Sequence, residues 1–361
     1  MKALVLSAAY LTPDGKRAMS FVHTRCIAYK KAGFDVTVLN FGIKTGYMID
    51  GIQVISLNEF KKMDEKYDVL VSHAANLRCH YRFLFFYGGR FPKKVFIFHG
   101  HEILHLAKYY PKSYPYMKRG LVGHCLRYFY DSFKLKVWNH YYKANIEQIK
   151  LVFVSFWLYE QFVKEVGIDE AILKGHYEVI PNNISAFFES HSYFLVQPKY
   201  DFITIRSNLD ESKYCVDLVV EAARKNPQYK FCIVGRGKFF AYNEKPENVD
   251  WNEGVFNHNQ LAELINCARY ALMPTREDTH GVMACEMAAY GIPLITSNIS
   301  ITQEVFSDCK TVAFVSNEDM NLARAVKELS ALKDSTEKWE RYFAKNTVDK
   351  EIEFISHYVK E

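Results

Sequence analysis

Short apolar runs alternate with stretches of helical periodicity, and the alternation occurs twice along the chain. In the first half, Ala3–Ser7, Val36–Asn40, Asp68–Ser72, Val95–Phe98 and Leu151–Ser155 read as strands, with a helix over Arg17–Ala32 between the first two. Strands apolar on both faces need cover on both faces, and a parallel sheet flanked by helices supplies it. The pattern breaks over Phe187–Tyr200 and then restarts. Strands are expected at Phe202–Arg206, Lys230–Val234, Tyr270–Met273, Pro293–Thr296 and Thr311–Val315. Helices are expected at Lys213–Lys225, Gln260–Ala268 and Val282–Tyr290, with further helical segments from Leu322. A length of 361 residues suits two cores better than one. The sequence therefore predicts an α/β protein of two doubly wound parallel-sheet domains facing a cleft. They would span 1–186 and 187–345, with a C-terminal helix at 346–361 packing back on the first.

The eight cysteines are scattered and contain no Cys-x-x-Cys pair, which argues against a zinc site or a disulfide framework and for a reduced, cytoplasmic setting. The apolar run after Lys2 ends at Thr12-Pro13 and reads as a buried first strand rather than a leader. No stretch has the roughly 18 to 20 apolar residues of a spanning helix. A net charge of +5 is mild, but its distribution is uneven. Between Leu106 and Asn145 eight lysines and arginines face one acid, Asp131, and are interleaved with aromatics. Such a stretch suits peripheral contact with an anionic membrane on the inner face of the cell membrane, or an aromatic helix packed on the sheet. No nucleic-acid module accompanies it.

Chemistry concentrates between Pro274 and Ser297. There Arg276-Glu277-Asp278-Thr279-His280-Gly281 leads from a strand into the helix starting at Val282. Free N–H groups near Gly281 to Met283, with the helix dipole, form a phosphate site. Asp278 lies in the loop and Glu286 one turn inside the helix, separated by seven residues, so one carboxylate can reach a sugar hydroxyl and the other a ribose. A capped amphipathic helix is the plainer reading of the same residues.

Taken whole, the segment resembles the E-x7-E signature of retaining GT-B glycosyltransferases of family 4, the glycosyl transferases group 1. Gly281, Glu286, Met287, Ala288, Gly291, Pro293 and Ile295 fall in register, with Asp278 at the first glutamate and His280 at the aromatic. Because Glu277 adjoins Asp278, either can fill the first acidic position. Thr204–Lys213 is similar to the family's G-R-L-x-x-x-K stretch, in which a basic pair neutralises the donor diphosphate. Lys213 matches the lysine, while Arg206 stands two residues before the pattern's arginine and Asn208 occupies that place. Val234-Gly235-Arg236-Gly237 resembles the V-G-x-G turn near the nucleotide, and Val179–Ile184 the interdomain crossing. Gly15 lies in the stretch resembling the glycine loop after the first strand. His73, His99 and His101 follow strands, and His99 is the closest match to the histidine that contacts the transferred sugar.

The resemblance implies two Rossmann-like domains and transfer of a sugar, with retention, from a UDP- or GDP-linked donor to a hydroxyl on a glycan or lipid-linked acceptor. Cell-surface glycan or glycolipid synthesis is the expected setting. It implies catalytic roles for His99, Lys213 and Asp278, and donor binding by Gly15, Arg206, Gly235, Gly281, Val282 and Glu286. No cofactor is implied, and no metal, since lysine takes the cation's place and there is no Asp-x-Asp triplet. A non-catalytic glycosyltransferase-like scaffold is the main alternative and a sugar-nucleotide epimerase a lesser one.

Overall fold

The computed structural model describes residues 1–13, 19–117, 121–332 and 338–361. The chain divides into two compact units. The first comprises Met1–Leu106, Arg127–Pro181 and Thr347–Glu361; the second comprises Ala107–Leu126 and Asn182–Asn346. The division falls at Pro181 and Asn182 rather than at the expected 186 and 187, and it differs in a second respect. Ala107–Leu126, placed by sequence in the first domain, belongs to the second unit, because its tyrosines find partners there.

The strands of the first unit are β1 (Lys2–Ser7), β2 (Asp35–Asn40), β3 (Tyr47–Ile49), β4 (Ile52–Ile55), β5 (Val69–His73), β6 (Lys94–Phe98), β7 (Ile149–Phe153) and β8 (Tyr177–Val179). They form one sheet in the order β3-β4-β2-β1-β5-β6-β7-β8, parallel except for the β3–β4 hairpin. That hairpin turns at Asp50-Gly51, both with positive φ, as a two-residue turn between antiparallel strands requires. Ala3 to Leu6 are wholly buried, as are Val95 to Phe98, so these strands are apolar on both faces because both faces are covered. The aromatic content fills this unit's core: Trp138 stacks on Tyr142 at 5.2 Å and Phe98 on Phe153 at 4.9 Å.

The helix Leu121–Asn145 separates the two readings of the basic aromatic stretch. Trp138 and Tyr142 are core residues, and Lys134 is buried against Asp131 at 3.0 Å while donating to the carbonyls of His101 and Leu104, each at 2.8 Å. These members of the run are structural, as the reading of an aromatic helix packed on the sheet expects. Phe129, Tyr130 and Phe133 remain exposed.

The second unit has β9 (Tyr200–Asn208), β10 (Phe231–Arg236), β11 (Val249–Asn252), β12 (Ala268–Met273), β13 (Leu294–Ser297) and β14 (Val312–Val315), all parallel, in the order β11-β10-β9-β12-β13-β14. Counted within its unit, the second sheet has the strand order 3-2-1-4-5-6, and the first sheet has the same order over β4-β2-β1-β5-β6-β7 once the short hairpin strand β3 is left out; both reverse direction beside the first strand. Ligands of such sheets bind beyond the carboxyl ends of the strands at that reversal. In the second unit this is the end of β9 and β12; in the first, β1 and β5.

Candidate functional site

At the β9 and β12 ends the chain places Arg206 and Pro274, and the arginine's Nη2 donates to the Pro274 carbonyl at 2.6 Å. Arg206 is buried, and no acceptor meets its Nε among the described residues. Burial lowers its pKa below the usual guanidinium range, opposed by Asp278. Its guanidinium lies 5.0 Å from the centre of the Tyr214 ring. Lys213 Nζ lies 4.8 Å from that same ring and 5.1 Å from the ring of Tyr110. Two cations thus share one aromatic partner. Burial alone would lower the Lys213 pKa, yet Tyr214, Tyr110 and Asp278 raise it, so the ammonium is firmly charged.

The loop from β12 to the helix Val282–Tyr290 is fixed from both ends. Arg276 N and Thr275 Oγ1 donate to the Lys213 carbonyl at 2.8 and 3.1 Å, and Arg276 holds Asp217 through two bonds of 2.9 and 2.6 Å. The loop then closes on Asp278, whose Oδ1 accepts from the N–H groups of Thr279, His280 and Gly281 at 2.8, 3.2 and 2.9 Å. Gly281 has φ +71° in the left-handed region and precedes the helix without a side-chain cap. The N–H groups of Val282 and Met283 come before any carbonyl the helix can offer them, so they are open to an anion. A small pocket is lined by Arg206, Thr275, Asp278, His280, Gly281 and Thr302, among others.

Two carboxyls here are held toward the neutral form. Glu277 is pushed up to about 8 by burial and then by Asp278, with Lys213 opposing, and its Oε1 is buried with no partner among the described residues. Glu286, 6% exposed, is pushed up to about 7 by burial, and its Oε1 accepts from Ser185 N at 3.1 Å. His280 packs edge-on against Tyr342 at 4.4 Å.

Arg206, Lys213, Asp278, Gly281, Val282 and Glu286 therefore all lie in the second unit, on the loops and helix around one strand reversal. Gly235 belongs to the neighbouring β9–β10 edge, and its lack of a side chain has a local cause. A Cβ there would meet the Arg206 carbonyl oxygen at 1.9 Å, where the β-bulge after Val234 brings the strands close. His99 lies in the first unit after β6, its Nε2 3.3 Å from Nδ1 of the buried His73 and its ring 4.5 Å from Phe21. Burial, then His99, holds His73 well below the usual imidazole range. Gly15 lies outside the described residues. The sequence reading missed Tyr110, Tyr214, Arg276 and Ser185. Tyr214, next to Lys213, carried a signal that could have been weighed; Tyr110, 103 residues away, carried none.

Two parallel α/β sheets of this strand order, one of them ending in a basic corner over a helix start, define a protein with the architecture of the GT-B glycosyltransferases. Residues 190–346, most of the second unit, match the family Glycosyl transferases group 1. Over its whole length the fold is similar to sucrose-phosphate synthase from Thermosynechococcus elongatus, with TM-score 0.67 and 16% identity, covering 99% of this chain and 98% of that one. It is also similar to WaaG, a glycosyltransferase involved in lipopolysaccharide biosynthesis, with TM-score 0.63 and 15% identity over 99% and 100% of the two chains. A 41.2 kDa protein of the cps region of Klebsiella pneumoniae is 25% identical over 250 residues, 66% of this chain and 68% of that one.

Proposed function

We propose that the chain transfers a sugar from a UDP- or GDP-linked donor to a hydroxyl of a glycan or lipid-linked acceptor in the synthesis of a surface polysaccharide. The observation that carries the reading is the pair Arg206 and Lys213 on one tyrosine ring, beside an open helix start. When the anomeric bond breaks, negative charge grows on the diphosphate, and fixed cations and N–H dipoles lower the barrier most when aimed there. Lys213 supplies a fixed charge, Arg206 Nε an unmatched donor, and the N–H groups of Val282 and Met283 the helix start, the Gly281 N–H being taken up by Asp278. Glu286 takes the ribose. Asp278 is committed to its own loop through Oδ1, so Glu277, with an unmatched carboxyl oxygen, is the better contact for a hydroxyl of the transferred sugar. The family resemblance supports retention and a sugar contact for His99, and the cps-region relative supports the polysaccharide setting.

Peripheral membrane contact is part of the proposal. Phe129 and Phe133 are 72% and 62% exposed on a helix that also carries Lys136 and the Asp131-paired Arg127, and Phe85 and Phe86 are 71% and 64% exposed on the helix Arg82–Tyr87. Rings of this kind enter a headgroup layer while the cations meet anionic lipid. No helix among the described residues is long and apolar enough to cross a membrane.

Thermal unfolding against a panel of UDP- and GDP-sugars tests the donor site. At least one donor at 100 times its Kd raises stability by about 2.7 kcal/mol, and Lys213→Ala reduces that gain. A panel that stabilises neither protein removes the nucleotide-sugar reading, and with it both the transferase and the scaffold versions.

A further inference from the structure

The segment Ala107–Leu126 leaves the sequence neighbourhood of the first unit and forms part of the second. Two tyrosines pin it there. Tyr114 Oη donates to Asp217 Oδ1 at 2.8 Å, and Tyr116 Oη donates to Asp210 Oδ1 at 2.8 Å. Asp217 is the residue gripped by Arg276, and Asp210 also accepts from Lys238 N at 2.9 Å, so both anchors are themselves fixed. The rings add to the hold: Tyr116 stacks on Tyr242 at 4.6 Å with the planes 5° apart, and Tyr114 meets Phe239 edge-on at 5.2 Å. Four residues before Tyr114, the strap delivers Tyr110 to 5.1 Å from the Lys213 ammonium.

We propose that Tyr110 is a positioning residue for Lys213, carried by a strap whose anchoring tyrosines fix it against the loops of the phosphate corner. A lysine has four rotatable bonds and would otherwise be free to leave the site. Two aromatic faces, Tyr110 and Tyr214, restrict it by cation–π attraction and by bulk. With the ammonium already in place, an incoming diphosphate meets a charge that needs little further ordering. The inference rests on the diphosphate reading above and adds that the donor site depends on a segment encoded 103 residues before its lysine.

A double-mutant cycle read by calorimetry separates the two claims, using the full chain, UDP and GDP as probes, and Tyr110→Phe, Tyr110→Leu, Lys213→Ala and the Tyr110→Leu/Lys213→Ala double variant. Tyr110→Leu should weaken the better nucleotide about tenfold and Tyr110→Phe, which keeps the ring, about threefold or less. In the Lys213→Ala background Tyr110→Leu should add less than about twofold, because groups acting through one another are not additive. Equal losses with and without Lys213 make Tyr110 a merely structural residue and overturn this inference while leaving the donor site standing. A parent chain that binds neither nucleotide overturns the donor reading itself. Should Tyr110→Leu fail to fold, Tyr110→Met in both backgrounds carries the same comparison, because it also removes the ring while keeping an apolar side chain.

Discussion

The backbone N–H of Ser185 donates to Oε1 of Glu286 at 3.1 Å, across 101 residues of sequence. Burial raises the pKa of this carboxyl from the ordinary 4.5 to about 7, with the Ser185 hydrogen bond opposing. A carboxyl raised on folding contributes stability that is whole below about 4.5 and is lost as pH rises through about 7. Glu286→Gln keeps the shape without the charge. Between pH 5 and pH 8 the variant should gain on the parent by on the order of 3 kcal/mol in urea unfolding. A difference independent of pH would mean that Glu286 is not held neutral.

Arg25 Nε lies 3.1 Å from Glu351 Oε2, both fully buried, and Tyr29 donates to the other oxygen of the same carboxylate. This pair fastens the helix Val348–Lys360 to the helix Ser20–Lys31 within the first unit. Removing one partner strands the other in a dry site. Glu351→Ala should therefore cost about 3 to 5 kcal/mol, measured by chemical denaturation. A cost below about 1 kcal/mol would show that water reaches the arginine.

Gly235 has φ +145°, and a methyl group there would collide with the Arg206 carbonyl. Gly235→Ala should destabilise the second unit by about 1 to 3 kcal/mol through backbone strain and close contact. Because the clash falls on Arg206, nucleotide affinity should drop as well. Unaltered stability and affinity together would mean that the β9–β10 edge yields without disturbing the arginine.

The two sheets were legible in the sequence because buried parallel strands are apolar throughout, and a run such as Val95–Phe98 has no competing reading. The strands that escaped are those whose signal is short. β3 and β4 give only seven strand residues, although Asp50-Gly51 between them is a strong hairpin turn. The strands β8 and β11 are edge strands of three and four residues. Lys213 was expected inside a helix but sits in a 3₁₀ turn before it, since Cys215 takes a left-handed φ of 56° and delays the helix to Val216. In the site, Asp278, Gly281 and Glu286 had a local signal in a loop leading into a helix, while Arg206 and Lys213 were marked only by the family resemblance. Tyr110 and Ser185 could not be read, because tertiary contacts alone bring them to Lys213 and Glu286.

Vesicle co-sedimentation tests the membrane contact. The parent should sediment with vesicles containing anionic lipid at low salt and less at high salt, as the Debye length falls from about 30 Å at 0.01 M to about 3 Å at 1 M. Phe129→Ser/Phe133→Ser should weaken sedimentation at both salt concentrations, because ring insertion is not screened. A parent that stays in solution with anionic vesicles at low salt makes these rings unrelated to membranes.

The most direct test of the account is to incubate the chain with the donors that stabilise it and follow the anomeric proton of the sugar and the release of nucleoside diphosphate by NMR. The account predicts that at least one donor is consumed with stoichiometric release of nucleoside diphosphate, accelerated by an added glycan or lipid-linked acceptor. Lys213→Ala should slow that release by about a hundredfold or more while weakening donor binding far less, since the lysine acts on charge that develops as the bond breaks. Tight binding of nucleotide sugars with no release of diphosphate, with or without acceptor, would contradict it and make the chain a glycosyltransferase-like scaffold.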